Sequence, residues 1–326
     1  MVRIATSGVQ KSAPMPRSLH IKGGVGVWRH IRRDWQLYGF LALPLAWLFV
    51  FCYYPMYGAQ IAFRDFLPGR TIWNSPWVGL EQFERFFLSP YFVVLIRNTV
   101  VLSLYSLAVG FPFPIILSLS LNQVRQRLFK QTVQMVSYAP HFISTVVMVG
   151  IIMQFLDLRR GPINLLLQAV GLQPINFMSN ASMFPSIYVW TNVWQHTGFG
   201  TIIYLAALTN IDPALHEAAV VDGASRLQRA WHIDVPGIIP VVMTMLILNM
   251  GQLLNVGFEK AFLMQNSLNL STSEIISTYV YKIGITAGLT NFSYAAAIGL
   301  FNSIIGLLLI TIAHHLSKRL TGSGLW

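Results

Sequence analysis

The sequence predicts an all-α integral membrane protein of six transmembrane helices, and three observations predict it. Charged residues are 10% of the chain and hydrophobic ones 54%, against roughly a quarter charged in soluble domains. So few charges cannot coat a chain for water, and the mean hydropathy of +0.56 agrees. Six apolar segments are each long enough to cross a hydrocarbon core, which takes about 20 residues. The Lys and Arg residues lie between those segments rather than in one patch. The net charge of +11 therefore reads as a topology signal, not as a nucleic-acid footprint.

Residues 1–36 form a basic tail, with Arg3, Lys11, Arg17, Lys22, Arg29, Arg32 and Arg33 against Asp34 alone. The tail lacks the short apolar core and small-residue cleavage site of a secretory signal. Its end, Trp28 to Trp35, alternates aromatic and basic groups. That pattern suits either an interfacial helix on anionic lipid or a solvated flank of the first span.

The membrane body covers 37–316. Its first span is expected at Leu37–Gly58, with Pro44 and Pro55 as kinks. The second, Phe92–Leu121, must bend at Pro112 and Pro114. The third is Val133–Leu156, bent near Pro140, and the fourth Phe184–Thr209. The fifth is Ile238–Val256, the sixth Tyr294–Leu316, and residues 317–326 form a short tail. The lone cysteine, Cys52, lies in the first span and excludes a disulfide within the chain.

With both termini in the cytoplasm, fourteen of the 22 Lys and Arg face inward. They are the seven of the N-terminal tail, Arg125, Arg127, Lys130, Arg226, Arg229, Lys318 and Arg319. Arg64, Arg70, Arg85, Arg97, Arg159, Arg160, Lys260 and Lys282 then fall outside or at a span edge. This bias predicts that orientation. The outer loops, 59–91 and 257–291, are too rich in aromatic and paired groups to be plain connectors. Ser271-Thr272-Ser273-Glu274 reads as a capping box that opens a helix through Ile275, Tyr279 and Ile283. An ordered outer helix implies something to pack on, either the chain's own rim or an external partner.

Polar residues recur at helical spacing inside the spans. Tyr188, Asn192, Gln195 and Phe199 share a face of span four, with Trp194 close by. Asn249, Gln252, Asn255 and Glu259 climb span five, and Tyr294, Ile298 and Asn302 climb span six. Amides exchange hydrogen bonds with hydroxyls, and aromatic rings stack on the apolar faces of sugars. These stripes fit the path of a neutral or weakly charged polyhydroxylated solute. Hydrogen bonding between helices, worth about 1 kcal/mol or less per contact, is the plainer use of the same groups.

Several chemistries are missing. There is no Gly-Lys pair and so no phosphate loop for ATP. His216-Glu217 begins like a zinc-protease helix, but Val220 stands where the second His would be. No Gly-x-Ser-x-Gly elbow occurs, and His314-His315 are adjacent rather than four apart. The centres of the spans hold no Asp, Glu, Lys or Arg, which argues against an ion-coupled carrier.

The stretch 210–237 lies between two spans yet is written like a helix. Asp212 can cap it, Pro213 fits its first position and Gly223 can end it. Ala214, Ala218 and Ala219 leave its surface nearly bare. Glu217-Ala218-Ala219, then Asp222-Gly223-Ala224, then Ile233 and Pro236, resembles the EAA loop of ABC importer permeases. Tyr54-Pro55-Met56-Tyr57-Gly58, Trp77 to Phe83, Pro140-His141-Phe142 and Ser277 to Tyr281 are similar to blocks of the polysaccharide branch of that family. The resemblance runs over 35–320.

It implies the type I ABC importer permease fold and a place in the bacterial inner membrane. It implies a heterodimer with a second permease, two cytoplasmic ATPase subunits that bind the ATP and magnesium, and a periplasmic solute-binding protein. This chain would need no cofactor of its own. The EAA helix would dock on an ATPase, with Ile233 and Pro236 stabilising the turn behind it. The solute implied is an oligosaccharide, alginate in the first place, with a peptide or compatible solute as the alternative. Alginate is acidic, whereas the stripes are neutral. Arg64, Lys260 and Lys282 are the basic groups on the outer side.

Overall fold

The computed structural model describes residues 32–254, 256–286 and 291–321, with side chains at 316, 317 and 319–321 outside the description. The chain divides into two units, Met1–Gly58 and Ala59–Trp326. Among the described residues it is helical throughout, and one isolated bridge, Arg64 to Trp77, is the sole β pairing.

The first unit holds α1, Trp35–Leu48, with Pro44 inside it. The helix runs on through a π-helical turn, Phe49–Tyr53, into Tyr54–Met56. Most of the tail, including Trp28 to Ile31, lies outside the described residues.

In the second unit each remaining expected span is helical. Span two is α2, Tyr91–Gly110, and α3, Pro112–Asn122, interrupted at Phe111 where the two prolines fall. The third departs most from expectation. α4, Arg127–Tyr138, ends in the 3-10 turn Ala139–Phe142, and α5, Thr145–Phe155, leaves it at 102°. Pro140 alone would give a kink. The right angle forms because the chain extends at Ile143 and restarts at Ser144, whose Oγ accepts from the Val147 amide at 3.4 Å.

Span four is α6, Phe184–Thr209, at about 1.5 Å per residue long enough to cross. By length and apolarity four helices qualify as spans, or five with the bent pair, and α6 is not among them. Its polar residues explain why. α6 packs on α2, α3 and α4 and on the helix of span five, so its polar groups lie among protein neighbours. Glycine permits one of these contacts. A Cβ on Gly198 would overlap the Ser137 carbonyl of α4. Leu102, Met148, Val149, Val189 and Val193 fill the core around α6.

After α6 come α7, Pro213–Val221, and α8, Arg226–Arg229. A π-helical turn, Ala230–Asp234, joins α8 to α9, Val235–Gly251. Together Arg226–Gly251 is one continuous helix. It begins twelve residues before the expected Ile238 and stops at Gly251 rather than Val256. Ile233 lies in the π turn and Pro236 at the start of α9, both inside the continuous helix rather than in a turn of a loop. A capping box between Ser225 and Gln228 starts the helix early, with bonds of 2.8 and 3.3 Å. The π turn carries it past Pro236, which has no N–H to give. The same device, a π turn two residues before a proline, precedes Pro55.

The outer segment also differs from its reading. After α10, Phe258–Met264, Leu270–Ser273 is a single helical turn, Glu274 and Ile275 are extended, and α11, Ile276–Tyr281, follows. The capping box at Ser271 does not form, because Asn269 claims the segment. Its Nδ2 donates to the carbonyls of Met178 and Met264, and its Oδ1 accepts from Ser273 Oγ. Glu274 instead pairs with Lys282 at 2.8 Å. This region packs on the chain's own rim. Asn98 Nδ2 donates to the carbonyls of Ser271 and Glu274, and the Ile276 amide donates to Thr99 Oγ1. The last helix, α12, is Phe292–Thr321 and takes in the first residues of the expected tail. It packs on α9, α11 and the short helix Glu81–Phe87, around Phe86, Tyr294 and Ile298.

Candidate solute cavity and coupling surface

A cavity of about 470 Å³ opens between α2, α6 and α9. Tyr188 and Asn192 reach it from α6, and Asn249 and Gln252 from the end of α9. The structure thus brings together four of the nine residues expected along a solute path. Ser103, Ser106, His196, Thr197 and Tyr204 complete its polar wall, and among the described residues no Asp, Glu, Lys or Arg lines it. Ser106 Oγ and Thr197 Oγ1 sit in that wall without a hydrogen-bond partner. A buried hydroxyl left unpaired costs free energy, and both oxygens lie behind the wall's surface rather than on it.

The other expected residues lie elsewhere. Trp194 lines a separate apolar groove with Phe113, Val136 and Trp190. Gln195 is buried, and its Nε2 donates at 3.0 Å to the Ile143 carbonyl, which ties α6 to the break between α4 and α5. Tyr294 is packed in the second core, with the Arg85 guanidinium 4.7 Å from its ring centre. Asn302 lines an apolar groove with Phe258, Tyr281 and Gly299. Asn255 is outside the described residues. Phe199, the end of the expected stripe, stacks on His141 at 3.9 Å.

His196 and Thr197 were missed because a helical face can be continued at i+7 or at i+8. From Tyr188 the choice lies between Gln195 and His196, and spacing alone does not decide. Lys260 also belongs to this neighbourhood. It is 4% exposed, its Nζ donates to the Tyr188 carbonyl at 3.4 Å and sits 5.3 Å from the Tyr188 ring centre. Among the described residues no carboxylate lies within ion-pair distance of it. Burial pushes its ammonium down to about 7.

The second candidate surface is α7. Asp212 Oδ1 accepts from the Ala214 amide at 2.9 Å and Pro213 opens the helix. Gly223 closes it at φ +78, with the Ala224 amide donating back to the Ala219 carbonyl at 2.8 Å. No residue of α7 is buried. Glu217, Ala218, Asp222 and Gly223 are exposed, Ala219, Ala224 and Ile233 half-buried, and Pro236 exposed. Apolar side chains share that surface, with Val221 87%, Leu227 79% and Trp231 68% exposed. An exposed apolar surface rimmed by polar groups is what a protein partner covers.

Residues 110–322 match a family described as binding-protein-dependent transport system inner membrane component. Protein LplB of Bacillus subtilis is 42% identical over 303 residues, 93% of this chain and 95% of that protein. The polygalacturonan/rhamnogalacturonan transport system permease protein YteP of Bacillus subtilis is 44% identical over 277 residues, 85% of this chain and 86% of that protein. Among solved structures, a bacterial ABC transporter involved in the import of the acidic polysaccharide alginate superposes with a TM-score of 0.84 at 38% identity. It covers 91% of this chain and 99% of its own. The same TM-score, at 37% identity and the same coverage, holds for a bacterial alginate ABC transporter in complex with an alginate pentasaccharide-bound periplasmic protein.

Proposed function

The chain belongs to the inner membrane components of binding-protein-dependent transport systems, and from that premise we propose that it is a permease subunit of an ATP-driven oligosaccharide importer. It is a multi-pass inner-membrane protein and a transport subunit. The solute is an acidic oligosaccharide of the alginate kind. The observation that carries this reading is the cavity, where Tyr188, Asn192, Asn249 and Gln252 meet in an uncharged polar wall. An uncharged polar wall suits a sugar's hydroxyls better than the paired charges of a peptide, and the acid groups of the solute need a cation from beside it. Lys260, buried against Tyr188, supplies a cation beside it. The alginate importer and the polygalacturonan permease among its relatives favour the same solute class.

The partners follow from the family. A second permease completes the path, two ATPase subunits bind ATP and magnesium, and a periplasmic binding protein delivers the sugar to the outer loops. Both termini and the 210–237 loop face the cytoplasm. α7, through Glu217, Ala218, Ala219, Asp222, Gly223 and Ala224, seats in the ATPase. ATP-driven closure of the ATPases moves α7, and the helices rock between inward- and outward-facing states.

The test is ATP hydrolysis by the complete importer in liposomes, with binding protein loaded with alginate oligosaccharides or with neutral ones. Stimulation several-fold stronger by the acidic sugar is expected. Equal stimulation by neutral sugar removes the acidic assignment, and stimulation by peptide alone removes the sugar.

A further inference from the structure

His216 and Asp234 belong to no part of the EAA resemblance, yet the structure joins them. α7 buries none of its own residues, so packing alone does not fix it to the bundle. His216 Nε2 stands 3.1 Å from Asp234 Oδ1. Asp234 ends the π turn before α9 and is fully buried. Its Oδ2 accepts from Gln123 Nε2 at 2.8 Å and its Oδ1 from Asn122 Nδ2 at 3.4 Å. Both donors stand at the cytoplasmic end of α3. One carboxylate therefore gathers the end of span two, the coupling helix and the start of span five.

A buried carboxylate with no Lys or Arg within ion-pair distance among the described residues depends on its hydrogen-bond donors. It holds them as a set, because losing any one strands a buried charge. His216 is the donor that comes from α7. We propose that Asp234 is the transmission point of the coupling loop, and that His216 is the positioning residue that straps α7 to spans two and five. Displacement of α7 by the ATPase would then pass into both spans at once. The inference rests on α7 being the ATPase-coupling helix.

The experiment uses the complete importer in liposomes and reads solute imported per ATP hydrolysed. Co-purification of the ATPase subunits and the thermal unfolding midpoint are measured on the same variants. Glu217→Ala is the reference for coupling. His216→Ala is expected to lower the transport ratio roughly fivefold, at the lower end of usual coupling between sites, with the ATPases still bound. His216→Gln, which keeps an N–H donor, should restore most of the ratio. His216→Ala added to Asp234→Asn should cause no further loss, since both act through one contact.

If Glu217→Ala uncouples and His216→Ala does not, the strap is overturned and the coupling helix stands. If neither uncouples, the coupling assignment falls and the strap with it. Additive losses in the double variant, or a His216→Ala defect matched by lost assembly and unrelieved by glutamine, also overturn it by making His216 a scaffold residue.

Discussion

Lys260 is the residue whose setting is least like its sequence. In the sequence it is one of several outer-loop cations, and its neighbours Phe258, Glu259 and Ala261 give no sign of depth. Burial comes from tertiary packing of α10 against α5 and Tyr188. Its ammonium is lowered to about 7, below the usual value near 10.4. The folded chain therefore holds fewer protons than the unfolded one between those values. Stability rises with pH across that window, and the burial penalty is fully present below it. Lys260→Met should raise the thermal midpoint more at about pH 6 than at about pH 9, because the penalty it removes is full at the lower pH and partly relieved at the higher. An equal rise at both would mean the lysine is not desolvated. In transport, uptake of acidic over neutral oligosaccharide should grow as pH falls from about 8 to about 6 and the lysine becomes cationic. Lys260→Met should flatten that profile. The cavity residues were half legible. Tyr188 and Asn192 could be read from spacing, while His196 and Thr197 needed the packed neighbours that decide which side of α6 faces inward.

Individual helices were legible where their ends are written locally. α7 carries its cap, its proline and its left-handed glycine within a dozen residues, and the structure reproduces each. Ser271 to Glu274 carries an equally good local signal, yet Asn269 overrides it with bonds to Met178 and Met264, far away in sequence. Local rules hold where nothing distant competes. The closeness of α6 to α4 is another distant fact, and Gly198 marks it. Gly198→Ala would drive a methyl into the Ser137 carbonyl, and overpacking of this kind costs about 1–3 kcal/mol. A lower unfolding midpoint for the purified protein is expected. Gly299 on α12 has nothing within 4 Å of an added Cβ. Gly299→Ala should leave the midpoint unchanged or raise it slightly, by less backbone freedom in the unfolded chain. If both substitutions behave alike, the close approach of α6 and α4 is not what holds the bundle.

For the whole molecule, hydropathy and charge gave the class and the segments, but not the central place of α6. Its polar content weakens it as an apolar segment for the same reason that it sits among protein neighbours. The right angle between α4 and α5 was equally hidden, since a proline signals a kink and not its size. Orientation can be tested directly. In a Cys52→Ser background, a cysteine placed at exposed Ser225 should react with a membrane-impermeant maleimide only after the cells are opened. One placed at exposed Arg160 should react in intact spheroplasts. The reverse pattern would place the coupling loop outside and remove any contact with a cytoplasmic ATPase.

The unbroken run Arg226–Gly251 has a mechanical consequence. Its 26 residues make a lever about 39 Å long, with the π turn and Asp234 near one end and Asn249 and Gln252 at the other. A tilt of about 5° at the base swings the far end by about 3 Å, the length of one hydrogen bond. The same tilt moves Asp234, about 12 Å along, by only about 1 Å, so a small shift at the buried carboxylate becomes a hydrogen-bond length at Asn249 and Gln252. The cavity would grip and release its solute as a unit, with leverage supplied by distance alone.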